Sequence, residues 1–143
     1  MTLGRTAFLF LFVASFFASL PAAHARSTGT LLYPIADVWP STVRFLRIDR
    51  NCVIREKDEA AGYILFDYPE GQKLHKGSIE LIRTHDNEGR EITRVIISLP
   101  DLPRHYERLL IDKLGDKMRE DRGAPAPPPP ARRPPREPDA GPQ

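Results

Sequence analysis

Cysteine is almost missing from this 143-residue chain: Cys52 stands alone. One thiol closes no disulfide within a chain, so a folded state must rest on an apolar core. Net charge is almost missing too. Residues 26–122 carry seventeen basic and seventeen acidic side chains. That balance offers no overall field to draw nucleic acid or anionic lipid. Familiar catalytic signatures are also missing. There is no G-x-S-x-G, no P-loop and no G-x-G-x-x-G. Beyond the N-terminal segment the histidines are His75, His85 and His105, without the close pairing of a zinc site. The run His85-Asp86-Asn87-Glu88 has donors for a cation but reads better as a hairpin loop. Asp58/Glu59 and Asp67/Glu70 flank turns, where solvation accounts for them without glycoside chemistry. The reading is a non-enzyme with no catalytic residue, no metal and no cofactor.

What is present begins with an export signal. Arg5 supplies positive charge, and Thr6 to Leu20 is almost wholly apolar. Pro21 breaks the helix, and Ala23-His24-Ala25 offers small residues to a signal peptidase. Cleavage is expected between Ala25 and Arg26. A membrane anchor is the rival reading. Fifteen helical residues span roughly 22 Å, short of the ~30 Å hydrocarbon core. No stable membrane insertion is therefore expected after cleavage. Localisation should be periplasmic or secreted.

Residues 26–34 read as a short lead-in, 35–122 as a folded domain, and 123–143 as a tail. The tail holds nine of the fifteen prolines. Proline fixes φ and lacks an amide hydrogen, so a disordered segment with polyproline II character is expected. Arg132, Arg133 and Arg136 make it locally basic and candidates for partner binding.

In the domain, a first helix should start near Asp37 and place Pro40 in its first turn. Trp39, Val43 and Leu46 recur at helical spacing, while Arg44 and Arg47 face outward. Four strands follow: 52–56, 62–68, 78–84 and 91–98. Alternation sends Tyr63 and Leu65 to one face of the second, and Ile64, Phe66 and Tyr68 to the other. Tyr63, Phe66 and Tyr68 are candidates for a partner surface, although core packing explains them as well. Asp101 should cap a last helix running to Arg122, striped by Tyr106, Leu110, Leu114 and Met118, with Leu109 filling in. Glu107 falls among its polar residues. Gly123 stops it. The order helix–four strands–helix implies an α+β fold: a four-stranded antiparallel sheet with two helices packed on one face.

The run from Trp39 and Leu46 through Cys52-Val53-Ile54, Lys57-Asp58 and Ala61-Gly62-Tyr63-Ile64 resembles the helix-grip domains of the outer-membrane assembly lipoprotein BamC. The resemblance covers residues 37–122 and implies a helix-grip-like fold. The lipidated cysteine of that family is absent, and one such domain appears rather than two. It transfers no functional residue.

Export, a full core pattern and no catalytic constellation together favour a non-catalytic module of the cell envelope that binds a protein partner. A small-ligand binder using space between the last helix and the sheet is the alternative. A secreted hydrolase is the third.

Overall fold

Five strands, not four, build the sheet. The computed structural model describes residues 26–127. The expected signal, its cleavage residue Ala25 and the tail arginines Arg132, Arg133 and Arg136 lie outside the described residues. The extra strand, β1 (Ser27–Leu31), comes from the stretch read as a lead-in. Its inward positions are Ser27, Gly29 and Leu31, so it lacks the apolar alternation that marks a strand locally. Pairing with β5 (Glu91–Ser98) makes it one, in the register Ser27↔Ile97 to Leu31↔Thr93. Gly29 lets the strand meet the last helix: a Cβ there would stand 2.4 Å from Ile111 Cγ2.

Helix α1 spans Ile35–Arg44, two residues earlier than Asp37 predicts. The start is set from a distance. Glu91 on β5 accepts the Ile35 amide at 3.0 Å, and the Asp37 and Val38 amides both donate to Pro34 O. Pro40 therefore sits inside the helix rather than in its first turn. Asp37 instead meets Arg122 at 2.9 Å. The chain then widens into a π-helical turn, Phe45–Asp49, which buries both Phe45 and Leu46.

Strands β2 (Val53–Asp58), β3 (Tyr63–Glu70) and β4 (Lys73–His85) complete the sheet, all antiparallel in the order β1-β5-β4-β3-β2. β4 begins five residues before Ser78, where the sequence predicts it. Its polar opening, Lys73 to Lys76, is held by a tight turn and the pairing Glu70↔Lys73. The β4–β5 loop is the expected hairpin. The Asp86 carboxylate accepts the Glu88 and Arg90 amides and the Arg90 guanidinium.

The last helix, α2, spans Arg104–Arg122. Asp101 does not cap it: Pro103 precedes it, with no side-chain cap. Leu110, Leu114 and Met118 are fully buried, as the stripe predicts, but Leu109 is 41% exposed and Ile111 packs on the core instead. Both helices close over the same layer. Trp39, Leu46, Leu110 and Leu114 share one core with Ile64, Phe66, Ile79, Val95 and Ile97.

Glu107 is the surprise of α2, buried at 3% exposure. It accepts the Ser27 hydroxyl at 2.6 Å and the Leu99 amide at 2.8 Å. The carboxylate thereby ties β1, the end of β5 and the start of α2 together. A periodic reading places it outward because nothing local reveals its two donors. Glu107→Ala should cost about 2 kcal/mol, since a buried donor left unpaired loses that much. Urea denaturation of both proteins measures it, and Glu107→Gln, which keeps one acceptor, should cost less.

Candidate functional site

The three aromatic candidates on β3 part company. Phe66 and Tyr68 lie in the core, at 1% and 7% exposure, and present almost no surface to a partner. Alternation decides this, because they share the inward face with Ile64. Tyr63 stands on the outer face, half-buried, with its hydroxyl donating to Glu56. That hydrogen bond raises the phenol above its ordinary value. Tyr68 meets Tyr106 edge-on at 6.2 Å, and Tyr106 donates to Glu70 at 2.7 Å. These contacts lock the start of α2 against the end of β3.

Cys52 is buried, and burial pushes its thiol up to about 11, with Arg50 pulling weakly the other way. At neutral pH it is a protonated core side chain rather than a nucleophile or a point of cross-linking. Among the described residues, no three His, Cys, Asp or Glu side chains converge as metal ligands. No helix among them is long and apolar enough to cross a membrane. The space between α2 and the sheet, where a helix-grip ligand site would lie, is filled. Leu110, Leu114 and Met118 from the helix and Ile79, Val95 and Ile97 from the sheet are all closed to solvent.

The surface is concave around α1 instead. Trp39 forms a wall between two grooves. One, of about 470 Å³, runs between α1 and the β2–β3 turn, with Glu59, Gly62 and Arg83 on its sides. The other, of about 410 Å³, lies on the opposite flank of α1. Its apolar lining is Trp39, Pro40, Val43 and Ile48, and its charged lining is Arg44, Arg47 and Lys57. Among the described residues, no acidic side chain lines it. Among the described residues, none of those three cations forms an ion pair. On the sheet, Arg26 pairs with Glu80, Arg55 with Asp67 and Arg83 with Glu91. Ile48 is 66% exposed beside this groove.

The local chain explains the arrangement. The π-helical turn keeps Phe45 and Leu46 inward and swings Arg47 and Ile48 out. The register shift between Ile54 and Glu56 on β2 precedes Lys57, which pairs with inward-facing Ile64 and so points to the helical side. Reading the helix alone marks Arg44 and Arg47 as outward. Nothing in the sequence says that Lys57 joins them, because a turn and a strand separate them.

The start of the proline-rich segment is also placed. Tyr33 donates to Gly123 O at 2.6 Å, and Arg90 donates to Ala126 O at 2.7 Å. Pro125 is half-buried against a groove that includes Tyr33, Pro34 and Ile92. The tail expected to begin at residue 123 is thus held on the domain as far as Ala126. Among the described residues, deleting 124–143 removes the Arg90–Ala126 hydrogen bond and the half-buried Pro125, so thermal melting should show a loss of about 1 kcal/mol.

The geometry defines an α+β domain with an open five-stranded antiparallel sheet, two helices and a cation-lined groove beside the edge strand β2. No known protein-family model matches the chain, and no curated protein matches it.

Proposed function

We propose that this protein is an exported, non-catalytic module of the cell envelope that binds a protein partner through the groove between α1 and β2. The observation that carries the proposal is the groove itself. Trp39, Pro40, Val43 and Ile48 give it an apolar lining, and Arg44, Arg47 and Lys57 line it with no carboxylate among the described residues. Apolar patches with arginine at their margins match the composition of protein interfaces, where arginine is enriched. Cations left without partners in a folded protein are free to meet an incoming anion at little competing cost.

Export rests on the pattern of residues 1–25, with its apolar run and small residues before the cut. The strand–helix–four strands–helix order, with a long last helix across the sheet, supports a helix-grip-like fold akin to the domains of BamC. The filled space under α2 favours a partner on the surface over a small molecule in the interior.

The test is an affinity capture from envelope extract, using the chain from Arg26 onward and the variant Arg44→Glu/Arg47→Glu/Lys57→Glu. These three residues are exposed, so the variant should fold. A partner retained by the parent and lost by the variant is expected. A capture indifferent to the three reversals would refute the groove as the binding surface.

A further inference from the structure

We infer that the groove receives an extended acidic segment of a partner protein, laid along the free edge of β2 as a sixth strand. The inference rests on the interaction reading above and names the chemistry of its partner. Among the described residues, β2 is the last strand of the sheet and pairs with β3 alone. Its far edge therefore offers main-chain donors and acceptors with no strand beside them. Val53, Arg55, Glu56, Lys57 and Asp58 are all exposed. The helical side of that strand is the cationic groove, with Lys57 reaching it from β2 and Arg44, Arg47 and Ile48 from the end of α1 and the turn after it. An open strand flanked by a helix is the geometry in which peptides add to sheets. Main-chain hydrogen bonds hold such a peptide, and its alternate side chains enter the pocket.

Charge selects the occupant. Among the described residues, three unpaired cations and no lining carboxylate call for acidic side chains. The chain's own C-terminal extension sets Arg132, Arg133 and Arg136 against only Glu137 and Asp139, and its prolines cannot donate to a ladder. A second copy fits poorly. Twofold pairing of β2 centred on Glu56 would set Glu56 against its own copy and Arg55 against Lys57, all like charges. A lipid surface would bring anions but no strand to use the free edge.

In an added strand, residues i and i+2 face the same side about 6.8 Å apart. A segment of the form Glu-x-Leu-x-Glu would place leucine over Pro40, Val43 and Ile48, which are open to solvent in whole or part, and its acids near Lys57 and Arg47. Trp39 is the only tryptophan and lines the groove, so its emission reports occupancy.

The experiment titrates the peptide Thr-Glu-Thr-Leu-Thr-Glu-Thr into the chain 26–143, which contains every described element. Trp39 fluorescence and amide exchange along β2 are followed together. A saturable change in emission is expected, with slowed exchange at β2. Affinity should fall by at least about tenfold in Arg47→Glu/Lys57→Glu, and a lysine-for-glutamate peptide should recover binding to that variant. Circular dichroism checks that the variant is folded. Four results would each overturn the inference. They are no binding, equal binding of a glutamine-for-glutamate peptide, binding without protection of β2, and charge-dependent binding of phosphatidylglycerol vesicles in place of the peptide. If envelope capture depends on the three cations while the peptide fails, this inference falls and the interaction reading stands. If capture ignores the cations, that reading falls as well.

Discussion

Trp39→Ala will cost about 3–5 kcal/mol, the loss of a large ring from a packed core. The ring is 5% exposed and belongs to the cluster that joins α1 to the sheet. A domain of this size is stable by only about 5–15 kcal/mol, so the variant will be near the edge of folding. Urea unfolding followed by far-ultraviolet circular dichroism measures the loss, because the variant has no tryptophan left to report. Trp39→Phe, which refills most of the volume, should recover more than half of it. A loss near zero for the alanine variant would mean that α1 is not seated on the sheet. Because the ring also walls both grooves, the same substitution should weaken partner binding even under conditions where the protein stays folded.

Gly62→Ala carries the second large effect, about 3 kcal/mol. Gly62 closes the β2–β3 turn at a φ of +73°, where a side chain is strained. Space is the harder constraint. A Cβ would stand 2.4 Å from the carbonyl oxygen of Leu81 on β4, and that oxygen belongs to the backbone. The same pair of residues is joined by the Leu81 amide donating to Gly62 O at 2.7 Å. One methyl group must therefore push two strands apart and stretch that bond. Differential scanning calorimetry should show the midpoint fall by roughly 15 °C. Gly71→Ala is the control. It has a φ of +60° but open space around it, so only the conformational cost remains, about 1 kcal/mol. Equal losses at the two glycines would contradict the close approach at Leu81.

Most of the layer order is legible in the residues themselves. Val95, Ile96 and Ile97 form a β-branched run between Arg94 and Ser98, and β5 falls over 91–98, where the pattern puts it. Leu110, Leu114 and Met118 recur at one turn's spacing and end up fully buried. Gly123, at a φ of +78°, ends α2 where a positive-φ stop is expected. Periodicity works in these places because each side chain meets its environment through its own element.

The misses share one cause. β1 is a strand because β5 pairs with it, α1 starts at Ile35 because Glu91 accepts its amide, and Glu107 is buried because Ser27 and Leu99 donate to it. Each partner lies far along the chain or across a loop, and no local spacing encodes it. The candidate site follows the same division. Arg44 and Arg47 are marked as outward by helical spacing, but Ile48 and Lys57 join them only when β2 is set beside the end of α1.

By itself, then, the sequence determined the apolar faces, the glycine and proline punctuation, the lack of cross-links and the balance of charge, because these depend on residue type and near neighbours. The tertiary structure alone decided the fifth strand, the interior carboxylate and the grouping of Lys57 with Arg44 and Arg47. Those depend on which distant backbone amides, hydroxyls and side chains are brought within a few ångströms, and pairing over such separations leaves no periodic trace in the chain.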